Sequence, residues 1–228
     1  MLEFANFLLI LAIIFALYAQ LKVKLTFSKY SDTSNQHGYT AKEVARQILD
    51  ENGLQNVSIE YISGSLTDHY DPTANVIRLS DSVYNSTSVA AIGVAAHEVG
   101  HAIQHAQGYT PIKIRQAIIP VTQIGSKLAV PLVLLGLIIS AFEWLIPVGI
   151  LLYTAAVFFQ AVTLPVEFNA SSRALRTLDD NLILYKDEVK QARKVLSAAA
   201  MTYVAAMFSS LVSLLRLIAI ANGGRRRR

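Results

Sequence analysis

The sequence predicts a mainly α integral membrane protein, with three to four transmembrane helices and a small α+β region set between them. Three observations lead there. Of 228 residues, 53% are hydrophobic and only 16% charged, which is too apolar for an ordinary soluble domain of this length. The apolar residues collect into runs of about 20, the length a bilayer-crossing helix needs. Between the first and second runs, the hydrophobic period changes from helical to alternating and back. The chain has no cysteine, so it offers neither a disulfide framework nor a thiolate metal ligand. Its net charge of +4 is modest, and no regular basic and aromatic pattern marks a nucleic-acid surface. The bilayer is therefore the expected partner, and nucleic acid is not.

Residues 1–21 form the first span, nearly continuous in apolar residues from Phe4 to Leu21. It has no basic leading segment and no small-residue cleavage site, so it reads as an uncleaved anchor. Residues 22–116 form the larger polar region. In it, Thr40 and Glu43 make a capping box before a helix that aligns Val44, Ala45, Ile48 and Leu49, with Gly53 as its stop. Val57 to Ile62 alternates like a half-buried strand, residues 64–72 are turn-rich, and Val76 to Leu79 reads as a second strand. That second strand is either an internal strand or an exposed edge to which an extended peptide can add. A helix of small apolar residues follows from Val89, with Gly108 as its stop.

Residues 117–163 form a transmembrane hairpin, Ala117 to Ala141 and Leu145 to Thr163, turning at Phe142-Glu143-Trp144. Pro131 is a tolerated kink in its first arm. Residues 164–196 read as a further helical segment, and residues 197–228 as an apolar helix, Ser197 to Ala221, followed by an arginine tail. Arg216 interrupts that last run, which is either a fourth crossing or a buried or interfacial helix. Lys22, Lys24, Lys29, Lys113, Arg115, Arg173, Arg176, Lys186, Lys190, Arg193 and Lys194 place both polar regions on the cytoplasmic side of the cell membrane. The tail Arg225 to Arg228 opposes that orientation if the last helix crosses.

The small apolar helix carries His97-Glu98-Val99-Gly100-His101, an HExxH pentad. His97 and His101 lie one turn apart on one face, so both imidazoles can reach one ion. Glu98 is then placed beside the first ligand, where it can serve as general base toward a water. The competing reading is a satisfied structural histidine pair. Only five histidines exist in the chain, and an ionisable cluster on an otherwise apolar helix is costly unless it is paired or liganded.

Two histidines hold zinc poorly, so a third ligand is needed. His105 lies about 12 Å from His97 along the axis, too far to share an ion held at about 2 Å, and reads instead as a supporting or helix-terminal residue. A longer motif with glycine and histidine further along also fails, since Gln104 and Gln107 occupy those places. Glu167 follows the third apolar run directly and faces the pentad if the two preceding spans form a hairpin; otherwise it is an ordinary interfacial glutamate.

The pentad, the upstream Leu66-Thr67-Asp68-His69-Tyr70-Asp71-Pro72 and the later Glu167-Phe168-Asn169-Ala170 together resemble the YugP-like bacterial membrane zinc metallopeptidases, and the likeness covers nearly the whole chain. It implies a zincin-like α+β region and a gluzincin-type membrane endopeptidase with Zn2+ as cofactor. It also implies His97, His101 and Glu167 as metal ligands and Glu98 as the catalytic glutamate. Glu167 to Ser171 is more distantly similar to the Glu-x-x-Ala-Asp pattern of HtpX-like and prenyl-protein membrane proteases. Ser171 stands where those carry aspartate, so orienting the ligand falls to Asn169 or to the Ser171 hydroxyl.

The expected chemistry is hydrolysis of peptide bonds in membrane-associated proteins or peptides. Glu98 takes a proton from the attacking water and passes it to the leaving amine. His69, Tyr70 and Arg173 are candidates to donate to the oxyanion, while Asp68 and Asp71 shape the turn before Pro72. The alternative is a non-proteolytic membrane scaffold that keeps zinc for stability. Such a site would usually close all four positions with protein ligands and leave Glu98 without a role. Metal transport is disfavoured, because the ionisable residues cluster outside the mid-span positions that mark an ion path.

Overall fold

A computed structural model describes residues 1–225. The last three arginines of the tail lie outside the described residues, and with them most of the tail's bearing on orientation. In chain order the elements are α1 (Leu2–Ser31), α2 (Ala41–Glu51), β1 (Ser58–Ile62), β2 (His69–Asp71), β3 (Val76–Ser80), α3 (Val89–Ala106), α4 (Thr110–Ile138), α5 (Leu145–Asp180) and α6 (Lys186–Arg225), with a 3-10 turn at Ser140–Phe142. Four of the helices, α1, α4, α5 and α6, are long and apolar enough to cross a membrane. The protein is thus a mainly α membrane protein with a small α+β region.

The chain divides into two compact units, each assembled from separated segments. The first takes Met1–Ala19, Lys113–Leu164 and the chain from Thr202 onward. Here α4 and α5 follow one another through the 3-10 turn and lie against each other. A Cβ at Gly149 would stand only 2.6 Å from the Ala129 carbonyl oxygen, so the two backbones touch. Small residues permit this kind of approach where lipid removes the hydrophobic drive for association. Val133, Ile146, Leu217 and Ala221 form a buried cluster in the same unit. Arg216, the charge inside the last apolar run, donates from Nε to Asn6 Oδ1 at 2.9 Å, a polar partner of the sort an intramembrane cation needs.

The second unit takes Gln20–Ile112 and Pro165–Met201. Its three-stranded sheet has the order β1-β3-β2, with β1 parallel and β2 antiparallel to β3. Strand β3 is therefore internal, and Val76, Ile77, Leu79 and Ser80 are all buried. Of the two readings the sequence left open for it, the exposed edge is excluded; the edges are β1 and β2. Strand β2 falls in the stretch read as turn-rich, because three residues are too few to show an alternation. Helix α2 carries the expected capping box: Glu43 N–H donates to Thr40 Oγ1, and Thr40 N–H to Glu43 Oε2 at 2.8 Å. Its apolar face, Val44, Ala45, Ile48 and Leu49, joins Ile77, Leu79, Ile92, Val99 and Leu178 in one buried core.

Several helix boundaries differ from the sequence reading, among them α4, which begins at Thr110 rather than Ala117; packing explains the three that follow. Helix α1 continues ten residues past the predicted anchor, because Phe27 and Tyr30 are buried in the second unit's core. Helix α5 runs unbroken through Pro165 for 36 residues, since Val166, Ala170, Ala174 and Leu178 form a continuous buried stripe. Helix α6 starts at Lys186 rather than 197. Its first turn is fixed by buried Glu188, whose carboxylate accepts from Tyr185 N–H and from Gln36 N–H, both at 2.8 Å.

Candidate metal centre

Helix α3 starts where Ser88 Oγ accepts from Ala91 N–H and runs through the second unit with Ala90, Ala91, Ala95 and Ala96 buried. Small side chains let its neighbours come close, and the closest approach lies inside the pentad. A Cβ at Gly100 would meet the Ala170 carbonyl oxygen at 2.8 Å and its Cα at 3.2 Å. Helices α3 and α5 therefore cross at Gly100 and Ala170, which sets Glu167, nearly one turn before Ala170, against the histidine face.

The result is a compact donor set. One ligand atom from each of His97, His101 and Glu167 can be chosen so that all lie within 4.8 Å of one another. Glu167 Oε2 is 3.3 Å from His97 Nε2 and 3.5 Å from His101 Nε2. Two ligands bound to one zinc at about 2.0–2.1 Å in a tetrahedral arrangement stand about 3.3–3.4 Å apart. The observed separations match that edge, and the two imidazoles and one carboxylate are ligand types zinc takes. The residues present fit the ion.

The tautomers can be worked out from the surrounding hydrogen bonds. Arg173 can only donate, and its Nε donates to Asn169 Oδ1 at 2.7 Å. Asn169 thus presents oxygen, so the Gln104 atom 3.0 Å from it is the amide nitrogen. The same nitrogen donates to the Val166 carbonyl at 2.8 Å. Gln104 Oε1 is left facing His101 Nδ1 at 3.1 Å, which must then carry a hydrogen. In the neutral ring the Nε2 lone pair points at the cluster, as a metal ligand requires. On the other side, Ser171 Oγ lies 3.1 Å from His97 Nδ1 and can fix that ring likewise. Burial disfavours a proton on His101, but hydrogen bonding to Glu167 and the charges of Glu98 and Glu167 outweigh it, holding its pKa above the usual histidine value.

Glu98 is buried, and its Oε2 accepts from Tyr70 N–H at 3.0 Å. That amide belongs to β2 and is not used in the ladder to β3, so it points from the sheet's open edge toward the pentad. The remaining predicted residues are more dispersed. His69 Nδ1 lies 2.9 Å from the Thr67 carbonyl oxygen, and its Nε2 faces Arg78 at 3.5 Å. The Tyr70 hydroxyl lies 3.4 Å from His105 Nδ1 and 3.3 Å from Asn75 Oδ1. Arg173 also donates to Gln107 Oε1 at 2.6 Å, so its guanidinium braces Asn169 and the end of α3. Asn169 reaches the histidine face only through Gln104, whereas Ser171 touches an imidazole directly.

The turn aspartates divide their work. Asp71 accepts from Ala74 and Thr73 N–H and from Arg78, and these bonds hold its carboxyl below the usual range. Asp68 accepts from Ser80 N–H and Oγ–H at 2.7 and 2.9 Å. Its burial nonetheless keeps its carboxyl above the usual range. The residue sequence reasoning missed is Gln104: it is completely buried, and its place one turn beyond Gly100 on the histidine face was the available signal.

Comparison with known proteins extends these observations to the whole chain. The model of a family described as "Putative neutral zinc metallopeptidase" matches residues 5–222. The chain is 49% identical over 219 residues to a Bacillus subtilis protein named "Putative membrane protease YugP", covering 96% of this chain and 97% of that one. No solved structure matches.

Proposed function

The chain belongs to this family of neutral zinc metallopeptidases, and from that premise we propose a membrane-embedded, zinc-dependent endopeptidase of gluzincin type. Its ion would be held by His97, His101 and Glu167. The observation that carries the reading is the pair of carboxylate–imidazole distances, 3.3 and 3.5 Å, in a cluster whose ring nitrogens are held from behind.

When bound, the ion supplies Lewis acidity to a carbonyl oxygen and an acidified water. The protein's own residues do the rest. Glu98 accepts the proton of the attacking water and delivers it to the departing amine. Gln104 and Ser171 keep the imidazoles turned inward. The outer edge of β2, where Tyr70 N–H meets Glu98, would take an extended peptide by exchanging that bond for main-chain ones, holding it beside Glu98 largely irrespective of its side chains. Tyr70 and His69, on that edge, are the candidates to donate to a developing oxyanion. The lysine and arginine distribution supports a cytoplasmic site and substrates drawn from membrane-associated proteins or peptides.

The test compares wild type, Glu98→Gln and Glu167→Ala, purified in detergent, for bound zinc and for cleavage of an unstructured protein. The reading expects zinc in the first two, cleavage only by the wild type, and loss of zinc in the third. Equal cleavage by Glu98→Gln would remove Glu98 as the base. Zinc-loaded wild type that cleaves nothing would favour a zinc-holding scaffold.

A further inference from the structure

Away from the metal centre, the second unit contains a cavity of about 450 Å³ lined by Lys22, Thr26 and Lys29 of α1 and by Arg193, Lys194 and Ser197 of α6. Four of the lining residues are cationic, and none is acidic. The spacing is orderly: Lys22, Thr26 and Lys29 fall on one face of α1, and Arg193, Ser197 and Met201 on one face of α6. The centroid of the Tyr30 ring lies 5.6 Å from Lys29 Nζ and 5.9 Å from Lys194 Nζ, so one aromatic ring steadies two ammonium groups.

We propose that this cavity binds the phosphate headgroup of an anionic phospholipid. Four like charges lining one space repel one another, and a phosphate lowers that repulsion while offering acceptor oxygens to ammonium, guanidinium and hydroxyl donors. Thr26 and Ser197 supply the hydroxyls. The position selects lipid over free phosphate. Lys22 directly follows the apolar run ending at Leu21, and Ser197 is followed by Ala198 and Met201, which continue the cavity wall into the apolar run of α6. A phosphate seated among the cations thus has an apolar path on both helices for its acyl chains, whereas an inorganic ion has no use for that wall. Basic pockets beside membrane-crossing helices recognise anionic headgroups in this way. The inference is independent of the proposed peptidase chemistry, since it uses no residue of the metal centre.

The experiment uses the full chain in a nonionic detergent and counts bound lipid by native mass spectrometry. Phosphatidylglycerol and phosphatidylcholine of identical acyl chains are titrated separately, and phosphatidylglycerol again with inorganic phosphate in excess. The double variant Lys29→Ala/Arg193→Ala is compared with Lys186→Ala/Lys190→Ala. The latter pair is exposed on α6 outside the cavity and loses the same charge. The expected result is preferential phosphatidylglycerol binding by wild type, weakened roughly ten- to thirtyfold in the cavity variant, about what two interfacial cations contribute. The control variant and Lys29→Arg/Arg193→Lys should bind as wild type does. Equal losses in both alanine pairs would reduce the effect to diffuse surface charge. Displacement by inorganic phosphate would make it a free-anion site, and equal uptake of the two lipids would remove headgroup recognition. Each of these three outcomes overturns the proposal.

Discussion

Replacing Gln104 by leucine isolates what the buried amide contributes to the metal centre. Leucine has nearly the same volume, so the change removes hydrogen bonds without opening a large void. Of the three bonds lost, two leave their acceptors provided for: the Val166 carbonyl lies within a continuous helix, and Asn169 Oδ1 keeps Arg173 Nε at 2.7 Å. The third does not. His101 Nδ1–H loses the acceptor at 3.1 Å, and an unmet buried donor costs about 1–3 kcal/mol. The ring can recover by moving its hydrogen to Nε2, but that nitrogen then offers no lone pair to an ion. Loss of such a supporting bond typically weakens metal affinity about 10- to 100-fold.

The assay is zinc affinity by competition with a chelator, alongside the melting temperature of the metal-free protein. Leu178→Ala is the control. It hollows the same core at a fully buried position and should cost about 2–5 kcal/mol of stability without touching a ligand. Zinc bound as tightly by Gln104→Leu as by wild type, or weakened equally by Leu178→Ala, would refute the tautomer argument.

Two further predictions concern packing and pH. Gly100→Ala must push the Ala170 backbone from 2.8 Å to an ordinary contact of about 3.5 Å. This should cost about 1–3 kcal/mol and lower zinc retained after dialysis. Gly93→Ala comes tighter than ordinary contact only with the Ala192 Cβ, at 3.3 Å, on α6, which carries none of the proposed metal ligands, and should keep its zinc. Asp68→Asn keeps the Ser80 N–H bond through Oδ1, reverses the second so that Nδ2 donates to Ser80 Oγ, and removes a charge that burial disfavours. Because the folded-state pKa of Asp68 is raised, the folded protein holds its proton more tightly than the unfolded one. That contribution is present below the ordinary carboxylate range and is lost as pH rises through the raised value. The variant's melting temperature relative to wild type should therefore climb between about pH 4 and pH 7, the interval above the ordinary aspartate pKa; a falling difference would contradict the assignment.

What could be read from the sequence was whatever is encoded within one or two helical turns. The pentad places two imidazoles on one face without help from the rest of the chain, and the Thr40–Glu43 capping box is a four-residue device that forms as written. The hairpin followed from two apolar runs and a short turn between them. What escaped depends on partners distant in sequence. Pro165 suggests a helix start when read locally, yet the buried stripe from Val166 to Leu178 carries α5 through it. Strand β2 is defined by its pairing with β3 rather than by any pattern of its own. Gly100 is one of the variable positions in the pentad, and its need for hydrogen in place of a side chain is visible only from Ala170, seventy residues later.

Ser171 shows how such a distant pairing bears on the electrostatics of the centre. A carboxylate behind His97 would orient the ring strongly and also add a third negative group beside Glu98 and Glu167. The hydroxyl at 3.1 Å from Nδ1 can orient the ring without that charge, as the Gln104 amide does for His101. Both supports are thus neutral, and the two carboxyl groups nearest the cluster match the charge of one divalent cation. Neutral supports raise ligand basicity less than carboxylates do, which leaves more of the ion's positive charge to act on a bound carbonyl or water. At the position where the Glu-x-x-Ala-Asp pattern carries aspartate, Ser171 would thus orient His97 without an added negative charge, which under the proposed zinc reading favours Lewis acidity over tight metal retention.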